Sequence, residues 1–331
     1  MENIYPRNHP YKSFEEQIDI LTKRNLEIDD RALAMEAIQS FSYYSIINGY
    51  KDLFTEPSNE NKFISGTTFS MLYQVHWIDL SMSSIIFKYT LAVEKKLKTQ
   101  VANLVAQSFS IEDNSYLNER NYSTSKPQKG KLKDVITAID KAKKQDISVI
   151  HYMNEENNIP PWIAAKAISF GSTFNWYSIL RPPHKEVIIK SFLGNTYPLS
   201  GDSRMELFKI AIGQVYEYRN LSAHGNRNFK LKFSQKTKYP WRYLKDLKIQ
   251  NFFAINDNPA NQDNFFSAIL SIMLLINDPY VCRNLIIEIE QFIQTYNIPE
   301  FTFLNKNIFQ LFDIPEDIIC RLNLLYDWKF S

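Results

Sequence analysis

From Thr67 to Phe109 the chain contains neither glycine nor proline. Within it Leu72, Val75, Leu80, Ile85, Phe87, Leu91, Val93, Leu97, Val101 and Leu104 keep helical spacing. That stretch predicts a helix of up to about 40 residues, roughly 60 Å long at 1.5 Å per residue, with room for a kink. The whole chain has only 8 glycines in 331 residues, where about 7% is usual. Folds that turn often, or that wrap phosphates in glycine loops, need more. The reading is therefore all-α, with at most a short β element. Hydrophobic residues at 44% and charged residues at 22% are ordinary globular usage and exclude a disordered or fibrous chain.

Other helices announce themselves by their caps. Ser13 and Glu16 form a capping box ahead of Ile18 and Leu21. Asp29-Asp30 cap a helix expected to run to Asn48-Gly49. Asn114 to Gly130 reads as a loop, and Lys131 to Asp146 as a helix. Pro160-Pro161 and Pro182-Pro183 bracket helical sequence around Gly171. Ser203 to Leu221 is a strong helix, with Met205, Phe208, Ile212 and Val215 on one face. Phe229 to Phe233 alternates with period two, as a short strand does. Gln262–Asn277, Tyr280–Tyr296 and Ile314–Trp328 read as closing helices. The organisation expected is an N-terminal helical region, 1–110, a central region, 111–248, and an acidic C-terminal region, 249–331, packed together. Cys282 and Cys320 are too few for a disulfide framework or zinc site and read as free buried thiols. The N-terminus lacks a signal peptide's apolar core, and no run suits a membrane span, so a cytoplasmic protein is expected.

The stretch with the most chemical information is Tyr218-Arg219-Asn220-Leu221-Ser222-Ala223-His224-Gly225-Asn226-Arg227. Arg219 and His224 stand at a helix end with four residues between them. No other arginine lies five to seven positions before any of the five histidines. RNA can be cut without a metal when the ribose 2′-OH attacks the adjacent phosphate. An imidazole of ordinary pKa, near 6.5, moves protons at neutral pH. A guanidinium holds phosphate oxygens through parallel hydrogen bonds. An asparagine beside it can orient either group. The competing role for His224 is a cation capping the helix C-terminus, with Arg219 a surface residue.

Arg-x(4 to 6)-His resembles the signature of HEPN ribonucleases. The wider stretch resembles the core of the abortive-infection Abi-like family, of AbiD/AbiF type. Three further segments agree in order: Phe41-Ser42-Tyr43-Tyr44 with Asn48-Gly49-Tyr50, Leu91 to Lys98 around Glu94, and Pro161-Trp162 followed by Ile168-Ser169-Phe170-Gly171-Ser172. Ser45 departs from the arginine that relatives often carry after the paired tyrosines. The resemblance implies a HEPN-type helical bundle and a ribonuclease toxin of phage defence, with catalytic residues Arg219, Asn220 and His224. It also implies a small structured non-coding RNA that restrains the protein. HEPN ribonucleases build one site from two facing motifs. This chain has one, so the resemblance implies a homodimer when active.

Charge supports an RNA partner independently. Between Gly225 and Lys248 eight basic residues face Asp246 alone, interleaved with aromatics. Arg227, Lys230, Lys232, Lys236, Lys238, Trp241, Arg242 and Lys245 are the candidate RNA contacts there, and Lys126, Lys129, Lys131 and Lys133 those of a second basic run. Tyr43, Tyr44 and Tyr50 read as core aromatics rather than stacking platforms. Residues 249–331 hold ten acidic against four basic residues. Histidine and cysteine spacing offers no metal site, and no glycine-rich nucleotide loop occurs, so no cofactor is expected. The alternative function is a non-catalytic RNA-binding HEPN module.

Overall fold

The long rod is real. The computed structural model, which describes residues 10–123, 125–194, 201–229 and 231–331, has one 40-residue helix at Phe69–Ser108. Thr68 starts it, its hydroxyl accepting the Met71 amide. The helices Pro161–Ala167, Phe170–Ile179, Pro182–Leu193, Gly201–Ala223, Phe265–Leu275 and Pro279–Tyr296 all pack against it. Its buried stripe includes Leu72, Val75, Met82, Ile86, Val93, Leu97 and Val101, as an amphipathic helix facing a core requires. Two carboxylates, Asp79 and Glu94, are buried in the same stripe.

Among the described residues there are sixteen α-helices and one two-stranded antiparallel hairpin, Thr55–Glu56 with Asn59–Phe63. The protein is all-α in class, 71% helical. The Ser13 capping box is present, and Asp30 caps the next helix. That helix does not run smoothly to Gly49. Ser42 takes φ +69° and breaks it, and a π-helical turn, Tyr44–Asn48, follows. Ser42 Oγ accepts the Ser45 amide, restarting the helix.

Further expectations are corrected. The segment expected to be loop to Gly130 is helical from Lys126, with Pro127 in the first turn where its missing N–H costs nothing. The break expected at Pro182-Pro183 is present: the Phe170–Ile179 helix ends before it, and Pro182 opens the next helix. Phe229 to Phe233 forms no strand among the described residues. Phe229 and Phe233 are buried, but the segment makes only an isolated bridge from Lys232 to Asn264. The alternation reflects two ring anchors, Phe229 and Phe233, with no strand paired beside them among the described residues. Cys282 is buried as expected, whereas Cys320 is exposed. Tyr50 is core, Tyr43 is half-buried, and Tyr44 is 75% exposed.

The acidic C-terminal region supplies the inner wall. Every side chain of Phe265–Leu275 is buried, and this helix packs along Gly201–Ala223. Buried Gln214 links the two, its amide donating to the carbonyls of Thr237 and Gln262 and its oxygen accepting from Ser271 Oγ at 2.9 Å. Lys329 reaches the other end, donating to the carbonyls of Met273 and Leu274 at 2.9 and 2.8 Å. No helix of the described residues is long and apolar enough to cross a membrane.

Candidate functional site

The Gly201–Ala223 helix stops at His224 for a local reason. Gly225 has φ +67°, its amide returns to the Ser222 carbonyl, and the Asn226 amide returns to the Leu221 carbonyl at 3.0 Å. That pairing is a Schellman ending with glycine in the left-handed position. It leaves His224 at the cap position, exposed, with no side-chain hydrogen bond among the described residues. The imidazole donates to none of the last carbonyls, so any capping contribution of His224 acts through charge alone.

Arg219 sits just inside the same helix end. Its Nε donates to Glu94 Oε2 at 3.1 Å, and Nη1 to Asn220 Oδ1 at 3.3 Å. Lys98 Nζ lies 3.1 Å from the other Glu94 oxygen. One buried carboxylate thus serves two cations, which a charge taken out of water needs. A guanidinium has five N–H donors in a fixed fork. Glu94 holds it by Nε, and Nη2 donates to no described residue. With 29% of its side chain exposed, Arg219 keeps donors available for an anion.

The loop after His224 is stitched down. Arg227 pairs with Asp52 and donates to the Gly49 carbonyl. Asn228 donates to Asp79 from its backbone at 3.1 Å and from Nδ2 at 2.7 Å. The Tyr50 hydroxyl donates to the same carboxylate at 2.9 Å. Burial pushes Asp79 up to about 6, although the Asn228 and Tyr50 hydrogen bonds and the Arg227 charge pull the other way. So the Gly49-Tyr50 segment and the long helix hold the loop after His224 at Asp79, while Glu94, about four turns further along the long helix, holds Arg219.

The basic runs are placed unevenly. Lys230 lies outside the described residues. Lys232 pairs with Asp263 and Asp313, and Lys238 with Asp263, so the acidic C-terminal region neutralises part of the run. Trp241 is half-buried against the core. Lys236, Arg242 and Lys245 are exposed, and Arg242 stacks over Tyr243. In the second run Lys126 and Lys133 are exposed, Lys129 pairs with Glu119, and Lys131 donates to Ser178 Oγ at 3.0 Å. The two runs meet at a cavity of about 520 Å³ lined by Lys131, Tyr243, Lys185, Lys209 and Glu206, the last pairing with Lys209 at 3.2 Å. Burial, then repulsion from Lys131 and Lys209, lowers the Lys185 pKa. An anion placed there would relieve that repulsion.

The comparisons now decide the family. The family model described as Abi-like protein matches residues 36–230, more than half of the 331-residue chain. The chain belongs to the Abi-like family. No curated protein and no solved structure matches it. The matched Abi-like span contains Tyr50, Asp79, Glu94 and Arg219 to Asn228, the residues of the two networks just described. Membership associates the chain with abortive infection, a form of phage defence. Asp79, Glu94, Lys185 and Lys209 were not among the site residues read from sequence. The signal for the first two was there: an acidic residue at a core position of an apolar stripe needs a partner.

Proposed function

We propose that this Abi-like protein is a HEPN-type endoribonuclease toxin that cuts RNA without a metal ion. The observation carrying this reading is the pairing at one helix end: Arg219, held by Nε on Glu94 with Nη2 undonated, and His224, exposed and unbonded. In the reaction the ribose 2′-OH loses its proton and attacks phosphorus. The P–O5′ bond breaks, and the departing oxygen takes a proton. The products are a 2′,3′-cyclic phosphate and a 5′-OH end. His224 moves protons, Arg219 binds the phosphate, and Asn220 orients the guanidinium.

One imidazole cannot readily serve both oxygens, which sit on opposite sides of phosphorus. A second copy supplies the other. The Gly201–Ala223 helix is enclosed along most of its length; of its described side chains only Lys209 and Ala223 are exposed. The dimer contact therefore belongs at its C-terminal end, where His224, Gly225 and Asn226 are exposed. A two-fold axis there brings the same patch together twice. A structured RNA bound over Lys236, Arg242 and Lys245 would either bridge the copies or hold them apart, and the latter would restrain the toxin. Induced expression of the wild-type chain should arrest bacterial growth and enrich cellular RNA in 2′,3′-cyclic phosphate ends, and His224→Ala should do neither. Equal arrest by both chains would refute the reading.

A further inference from the structure

Beside the Glu94–Arg219 pair lies a groove that the reading above leaves unused. It is a cavity of about 620 Å³ between the Phe69–Ser108 and Pro161–Ala167 helices, a volume in the range of small-molecule sites. We propose that it takes an unpaired base of a bound RNA strand, stacked on Trp162, with neighbouring phosphates on Lys95, Lys98 and Lys166. This rests on the ribonuclease reading, since it places the groove next to the scissile phosphate.

Four observations carry it. First, Ala102, Ala106 and Ala165 line the groove, so side chains too short to close the gap leave a flat apolar floor. Second, Trp162 is 47% exposed and packs on no aromatic ring among the described residues. An indole at a cavity mouth is a platform for any base, because every base has a π-face. Third, three lysines line the groove against Glu94 alone. Lys98 is held by Glu94, while Lys95 and Lys166 are exposed, Lys166 donating to Ser148 Oγ. An apolar floor with cations around it suits a ring that carries phosphates. A neutral or basic partner helix would leave the lysines unpaired. Fourth, Glu94 is shared: one side lines the groove, and its Oε2 holds Arg219. A strand with a phosphate on Arg219 thus has its adjoining nucleotide within reach of the groove.

The test separates binding from cutting. A short 2′-O-methyl oligonucleotide lacks the attacking hydroxyl, so it binds without being cleaved. Titrated into the full-length protein, it should quench tryptophan fluorescence, and the quench should fall in Trp162→Phe to what Trp241 in the basic run supplies. That variant keeps a flat ring and should bind within about threefold of wild type, whereas Trp162→Ala should bind about tenfold or more weakly. Lys95→Ala with Lys166→Ala should flatten the log–log salt slope by about 0.7 per lost contact. Wild-type affinity in Trp162→Ala together with an unchanged slope in the lysine variant overturns the groove. If those variants also cut unmodified RNA normally, the ribonuclease reading stands without it. A wild-type chain that neither binds the oligonucleotide nor cuts RNA sinks both. A change of oligomeric mass in Trp162→Ala, with RNA affinity intact, would assign the groove to a second copy and overturn the proposal.

Discussion

Asp79 shows how a single residue ties the site to the core. Its carboxylate accepts from Asn228 and Tyr50 inside the apolar stripe of the long helix. The folded chain keeps the Asp79 proton up to about pH 6, whereas an unfolded chain releases it near 3.8. The folded state therefore holds the extra proton between those limits, and stability falls as pH rises through them, by at most about 3 kcal/mol. Asp79→Asn fits the same network, its oxygen toward Asn228 and its amide toward the Tyr50 hydroxyl. Denaturation midpoints from pH 4 to 7 should show this loss in wild type relative to Asp79→Asn. Parallel curves would mean that Asp79 stays ionised throughout. Asn228→Ala removes a hydrogen bond to a charged group and should cost about 2 kcal/mol. None of this was legible in sequence beyond the oddity of an acid in an apolar stripe, because Asn228 is 149 residues from Asp79, and Arg219 is 125 from Glu94.

At the scale of elements, local signals were legible and distant ones were not. Thr68, Ser13 and Asp30 cap their helices through bonds that span three residues, so each start could be read from a few letters. The Gly130 segment misled because an exposed glycine beyond the first turn of a helix costs only about 1 kcal/mol, and the helix absorbs it. Gly213 carries the opposite lesson. A Cβ there would meet Thr237 Cγ2 at 2.6 Å, so glycine lets the 3₁₀ turn Gln235–Thr237 pack onto the motif helix. Gly213→Ala gains helix propensity but overpacks a buried contact, for which about 1–3 kcal/mol is typical. The net expectation is a lower melting temperature. Thr237→Ser removes the offending methyl and keeps the hydroxyl that donates to Glu217, so the double variant should recover the loss. No recovery would place the strain elsewhere.

At the scale of the whole molecule, charge is arranged in layers. The acidic C-terminal region pairs with Lys232 and Lys238 through Asp263 and Asp313, leaving Lys236, Arg242 and Lys245 exposed. Reversing those three to glutamate should weaken RNA binding across sequences and flatten the log–log salt slope by about 0.7–0.9 per lost contact. An unchanged affinity at low salt would remove this face from the RNA interface. The Abi-like family and the helical architecture stand apart from that outcome. If Arg219 and His224 together cut RNA, one assay shows it directly. Purified wild type and His224→Ala should be incubated with the same single-stranded RNA, with and without EDTA, and the product ends mapped. Wild type should leave 2′,3′-cyclic phosphate and 5′-OH ends whether or not EDTA is present, and His224→Ala should lose at least about a hundredfold in rate, as removal of a proton-transfer group does. Undiminished cleavage by His224→Ala, or loss of wild-type cleavage in EDTA, would rule out metal-independent cutting by this pair.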